Sequence, residues 1–155
     1  MGYNVHLLTH YCITFVFQVF ICCNNADSIG LVHGALVRNL IQMFDVCVNN
    51  YDVTNAEHLA CTEVRKANLA NCGWIVHMQQ PWAKLSWKQA HAECVKRTAV
   101  DYLIRTKFVK EQFAVAAVDK VFDRCYQDLE PIGRRSMDAF DIKRACDEKF
   151  LFGYI

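Results

Sequence analysis

The cysteines set the strongest constraint on what this chain can become. Nine occur in 155 residues, and they divide at a break in composition. Residues 1–26 carry no Lys, Arg, Asp or Glu, whereas the remainder holds all 17 basic and all 16 acidic residues. Cys12, Cys22 and Cys23 fall in the uncharged part, within an apolar run of 12 residues ending at Cys23. That is the length of a signal-peptide core and short of the roughly 20 residues that span a bilayer. The pattern predicts a signal peptide over 1–26, cleaved after Cys23 or Ala26, and a single helical disulfide-rich domain over 27–155. The product is expected to be secreted and free of membrane once the signal is removed.

Six cysteines remain: Cys47, Cys61, Cys72, Cys94, Cys125 and Cys146. An even set in a short chain entering an oxidising compartment reads as three disulfides, for which about 15 pairings exist. If Cys61 and Cys72 share one straight helix, they lie about 16 Å apart along its axis, beyond bridging distance. Removing that pair leaves about 12 of the pairings. Metal binding is the rival, because His58-Leu-Ala-Cys61 and His91-Ala-Glu-Cys94 each place a His and a Cys on one helix face. No Cys-x-x-Cys follows Ala26, and the expectation is no metal and no cofactor.

Hydrophobic spacing predicts a compact all-α bundle of about five helices cross-linked by three disulfides. Asp27-Ser28 caps a first helix to about Asn49, with Val32, Leu36, Leu40, Met43 and Cys47 as its apolar stripe. Thr54-x-x-Glu57 forms a capping box for a second helix over Asn55 to Cys72, with Gly73 as its stop. Pro81 interrupts an irregular stretch, and Ser86-x-x-Gln89 opens a third helix whose inward side is Ala90, Cys94, Thr98 and Tyr102. A fourth, from about Lys110 to Leu129, buries Ala114, Ala117, Val118, Val121, Phe122 and Cys125. Asp138 caps a fifth, followed by an apolar tail over 150–155. No sustained period-two alternation argues for a sheet.

A net charge of +1 without a basic stripe argues against nucleic acid as a partner. The chain has no Walker loop, dinucleotide fingerprint or Gly-x-Ser-x-Gly. His91-Ala-Glu-Cys94 invites comparison with secreted phospholipases A2, but the Asp after the His and the glycine-rich calcium loop are missing. The reading is therefore not an enzyme. All three tryptophans, Trp74, Trp82 and Trp87, sit in or beside the irregular stretch, and with Met78 they form the expected binding surface.

The leader, the helices and the six cysteines resemble those of insect odorant-binding proteins and of small secreted salivary proteins of blood-feeding insects, mosquitoes especially. Ten residues separate Cys61 from Cys72, a wider spacing than the odorant-binding family's. The resemblance implies a secreted, non-enzymatic salivary effector with a host or vector protein as partner. The alternative is a carrier of a small hydrophobic ligand, with Phe150, Phe152 and Tyr154 closing a cavity.

Overall fold

The structure is a computed structural model, and it describes residue 19 and residues 28–73, 86–137 and 141–152; within the last segment, the side chains of residues 142, 146, 150 and 152 are not described. Apart from residue 19, the expected signal peptide lies outside the described residues, as do the segment with Trp74, Met78 and Trp82 and Tyr154 at the chain's end. Among the described residues there are five α-helices: α1 (Ile29–Val48), α2 (Ala56–Lys66), α3 (Trp87–Thr106), α4 (Glu111–Gln127) and α5 (Asp141–Phe152). The all-α expectation holds. A π-helical turn, Ala67–Asn71, extends α2 and is closed by the Cys72 N–H donating to Ala67 O at 2.9 Å.

Local chemistry explains the starts of α1 and α2. Ser28 Oγ accepts from Leu31 N–H at 3.3 Å, satisfying one donor that the first turn leaves open. The second helix starts differently from the expected capping box. Its cap is Asn55, whose Oδ1 accepts from Glu57 N–H at 2.9 Å, while the Thr54 N–H and hydroxyl both donate to Asp52 Oδ1. Asp52 thus forms a turn that delays the helix by one residue.

The main core joins α2, α3 and α4. Leu59, Val64, Val95, Leu103, Val118 and Phe122 meet there, all less than a tenth exposed. The α4 stripe is buried as the periodicity predicts, at Ala114, Val118, Val121, Phe122 and Cys125. Two disulfides stitch this core. Cys61–Cys125 joins α2 to α4 with the α-carbons 5.4 Å apart, and Cys72–Cys94 joins the end of the π turn to α3 at 6.0 Å. Both geometries fall in the usual range for bridged cysteines. Of the other two expected members, Cys47 is exposed near the end of α1, and the Cys146 side chain lies outside the described residues.

The first helix departs most from its reading. Leu40 is 54% exposed and Cys47 is also exposed, while Val32, Leu36 and Met43 are only half-buried. The face turned inward carries Val37, Arg38, Asn39, Ile41 and Asp45. By length and composition alone α1 could cross a membrane, with a mean hydropathy of 1.3. In the fold it packs against α2 and its charged residues are paired inside.

After α4, Arg134 clamps the loop to α5. Its guanidinium holds Asp141 through two bonds of 2.7 and 2.9 Å and Glu148 at 2.7 Å. The bonds from Arg134 pull the Asp141 pKa from 3.8 down to about 2. A carboxylate with a depressed folded pKa stabilises fully above its unfolded value and loses that contribution as pH falls through the folded one. The stability difference between the native chain and an Arg134→Ala variant is therefore expected to shrink from pH 4 and vanish below pH 2, read by urea unfolding across that window.

Candidate functional site

The inward face of α1 and the facing side of α2 form a polar seam. Residues 38, 42 and 45 lie about one turn apart in succession and so share a helix face. Opposite them stand Thr62, Glu63, Arg65 and Lys66, each less than a tenth exposed. Buried charges persist only when paired and hydrogen-bonded, and this seam meets that condition in two clusters.

The first cluster centres on Glu63. Its Oε2 accepts from Arg38 Nη2 at 2.7 Å, and its Oε1 from Lys66 Nζ at 2.5 Å. Lys66 Nζ also donates to Gln42 Oε1 at 2.9 Å. Arg38 Nη1 donates to Asn71 Oδ1, and the guanidinium carbon lies 3.7 Å from the centre of the Tyr102 ring. Burial alone would raise the Glu63 pKa, but Lys66 and Arg38 outweigh it and hold the carboxyl below its usual range. Burial pushes the Lys66 ammonium down and Arg38 adds to that, while Glu63 opposes.

The second cluster centres on Arg65, which is 2% exposed. It donates to Asp45 Oδ1 and to the carbonyl of Glu130, and its Nε lies 3.2 Å from Asp128 Oδ2. Thr62 Oγ1 donates to the other oxygen of Asp45 at 2.7 Å. Burial pulls the Arg65 pKa down, opposed by Asp128 and Glu130.

Beside this second cluster opens a cleft of about 380 Å³, with Asp45, Tyr51, His58, Arg65, Arg124 and Asp128 in its lining and the Cys61–Cys125 bridge in its wall. Burial pushes the Tyr51 hydroxyl up to about 12, with Glu63 adding to the shift and Thr62 opposing it, so Tyr51 stays a proton donor at neutral pH. His58 Nδ1 accepts from Asp52 N–H at 3.0 Å. That bond fixes Nε2 as the protonated nitrogen of the neutral ring. The cleft offers donors and acceptors of both charges, which suits a polar ligand more than an apolar one.

The two His–Cys pairs weighed as metal ligands do not converge. Cys61 and Cys94 are both consumed in disulfides, and His91 Nδ1 bonds Tyr126 Oη at 2.8 Å. Among the described residues no group of three or more His, Cys, Asp or Glu converges on a metal position. Trp87, the described member of the expected binding surface, opens α3 with its ring stacked on His91 at 5.6 Å.

Residues 8–133 match the Peptidase M76 family, a span that takes in α1 to α4. The chain belongs to that family. It is 34% identical over 119 residues to the human mitochondrial inner membrane protease ATP23 homolog, an alignment covering 76% of this chain and 48% of the relative. The zebrafish homolog is 32% identical over 130 residues, covering 83% and 50%, and the Coccidioides immitis protease 32% over 120 residues, covering 74% and 49%. The chain spans about half the length of these curated relatives. No solved structure is significantly similar to it.

Family membership corrects the functional reading of the sequence. The expected resemblance to insect salivary and odorant-binding proteins is overturned, and with it the secreted effector, the host or vector partner and the hydrophobic-ligand carrier. The expectation that the chain is not an enzyme falls to a peptidase family whose relatives are named proteases. Secretion and freedom from membrane fall as well, since those relatives are named for the mitochondrial inner membrane. The error has a physical source. Disulfides and an apolar leader report an oxidising compartment and targeting, and neither specifies which compartment or what chemistry. The seam of Arg38, Gln42, Asp45, Glu63, Arg65 and Lys66 escapes a reading in which hydrophobic periodicity marks the inward face. A charge-bearing stripe in the otherwise apolar α1 was the available signal.

One peptidase signature can be tested on the residues directly. His-Glu-x-x-His on a helix presents two imidazoles to one zinc ion, with the Glu as base. It occurs nowhere in the 155 residues. His6-Leu-Leu-Thr-His10 has the histidine spacing without the Glu, and it lies outside the described residues. The seam, with Arg38 and Lys66 at its heart, does not fit a zinc centre.

Proposed function

We propose that this chain acts on polypeptides at the mitochondrial inner membrane, as a protease-family domain that holds its substrate in the cleft beside Asp45, Tyr51 and Arg65. The observation that carries this reading is the family match over residues 8–133, which contains every cleft residue. Two disulfides support a location where thiols are kept oxidised. The mixed polarity of the cleft supports a peptide backbone and its side chains as the ligand.

The test uses the purified full chain and a fluorescently labelled, carboxymethylated polypeptide, with association read by anisotropy and hydrolysis by mass spectrometry. Association is expected, and replacing Arg124 together with Asn50, which also lines the cleft, by Ala should weaken it roughly 3- to 10-fold, as lost polar contacts do. Neither association nor cleavage would overturn the reading, and undiminished association by the variant would remove the cleft from it.

A further inference from the structure

Lys66 is 3% exposed, and lysine is almost never buried to that degree without a dedicated partner. Its Nζ lies between a carboxylate oxygen from α2 and an amide oxygen from α1, at 2.5 and 2.9 Å. Two oxygens from two helices around one buried positive charge is the arrangement expected around a bound cation. The α1 positions involved sharpen the comparison. Arg38 and Gln42 stand at i and i+4, the spacing by which a helix offers two ligands to one metal, and both lean on Glu63 or on its partner. Two i, i+4 histidines with a carboxylate from a second helix would make a His₂Glu set.

None of the groups at these positions suits a metal. Arg38 is always protonated and cannot coordinate. Asn39, next to it, turns its amide back onto Ala35 O at 2.8 Å. Gln42 and Glu63 are already bonded to the ammonium.

We propose that Lys66 is a built-in cation: its ammonium occupies the place between α1 and α2 where a divalent metal would sit, and the seam closes without one. A covalently tethered charge needs no uptake from solution, and it lets Glu63 remain ionised in the interior. Arg38 fills the rest of the space and covers the Tyr102 ring. The inference rests on peptidase-family membership for its comparison with a metal centre. It does not depend on polypeptide association, so the two can fail separately.

The experiment measures zinc, with no substrate present. The native full chain is expected to retain no stoichiometric zinc after dialysis against a zinc buffer. A chain carrying Arg38→His and Gln42→His is compared with the same chain carrying Lys66→Ala as well. The triple variant is expected to bind one zinc about 100-fold more tightly or better, because a fixed ammonium at ligand distance both blocks and repels the ion. Equal affinity in the two backgrounds would overturn the proposal. So would one zinc bound by the native chain and lost on Glu63→Gln. Should the engineered variants fail to fold, acylation of the native chain decides the question. Lys66 is expected to resist a water-soluble acylating reagent while Lys120, whose side chain is 67% exposed, reacts. Equal labelling of the two lysines would place Lys66 outside the seam and refute the proposal.

Discussion

Glu63→Gln is expected to cost the fold about 3–5 kcal/mol, the size of effect seen when one member of a buried ion pair is removed. The substitution keeps shape and volume and deletes only the charge. It leaves Arg38 and Lys66 facing each other in the seam, with no anion between them. The second expectation concerns pH. Burial already lowers the Lys66 pKa and Glu63 is what opposes it, so without Glu63 the pKa drops further below 10.5. A base whose folded pKa lies below its unfolded value binds fewer protons folded than unfolded, so stability rises with pH through that interval. The variant should therefore regain stability as pH climbs towards 10.5, read from urea midpoints at a series of pH values. Adding Lys66→Met to Glu63→Gln should recover part of the loss at neutral pH by removing one unpaired charge. A cost under about 1 kcal/mol for Glu63→Gln alone would mean that the seam is wetter than its burial indicates.

Replacing Cys61 and Cys125 together by Ala is expected to destabilise the chain by about 2–4 kcal/mol. The bridge closes a sequence separation of 64 residues and ties α2 to α4. Losing it frees the unfolded chain to explore more conformations and removes a cross-link beside the cleft. The Cys72–Cys94 bridge closes only 22 residues, so removing it should cost less, since loop-closure entropy grows with the logarithm of length. The order of the two losses, measured by urea unfolding, checks this account. Cys61 and Cys125 also meet the cleft, so the first double variant should weaken polypeptide association, whereas the second should not.

Much of the architecture was legible because it is local. Ser28, the α4 stripe and the helical character of each segment follow from caps and from spacing of three to four residues, which operate within a turn or two of the chain. The corrections arise where a distant partner decides. Thr54 lost its capping role to Asn55 because Asp52 captured its N–H and hydroxyl. Lys66 looks from sequence like an ordinary solvated residue at the end of a helix, and only Gln42 and Glu63 make it an interior charge.

By itself the sequence determined an all-α chain, with an N-terminal break in charge and cysteines that can bridge helices, because those properties reside in composition and short-range periodicity. Tertiary structure decided which face of α1 turns inward and which cysteines meet. A charged face can be buried only when countercharges arrive from elsewhere in the chain, and that pairing brings together residues 20 to more than 60 positions apart. Arg38, Gln42, Glu63 and Lys66 meet in one bonded cluster between α1 and α2, and no spacing rule along one helix could have put those four side chains together.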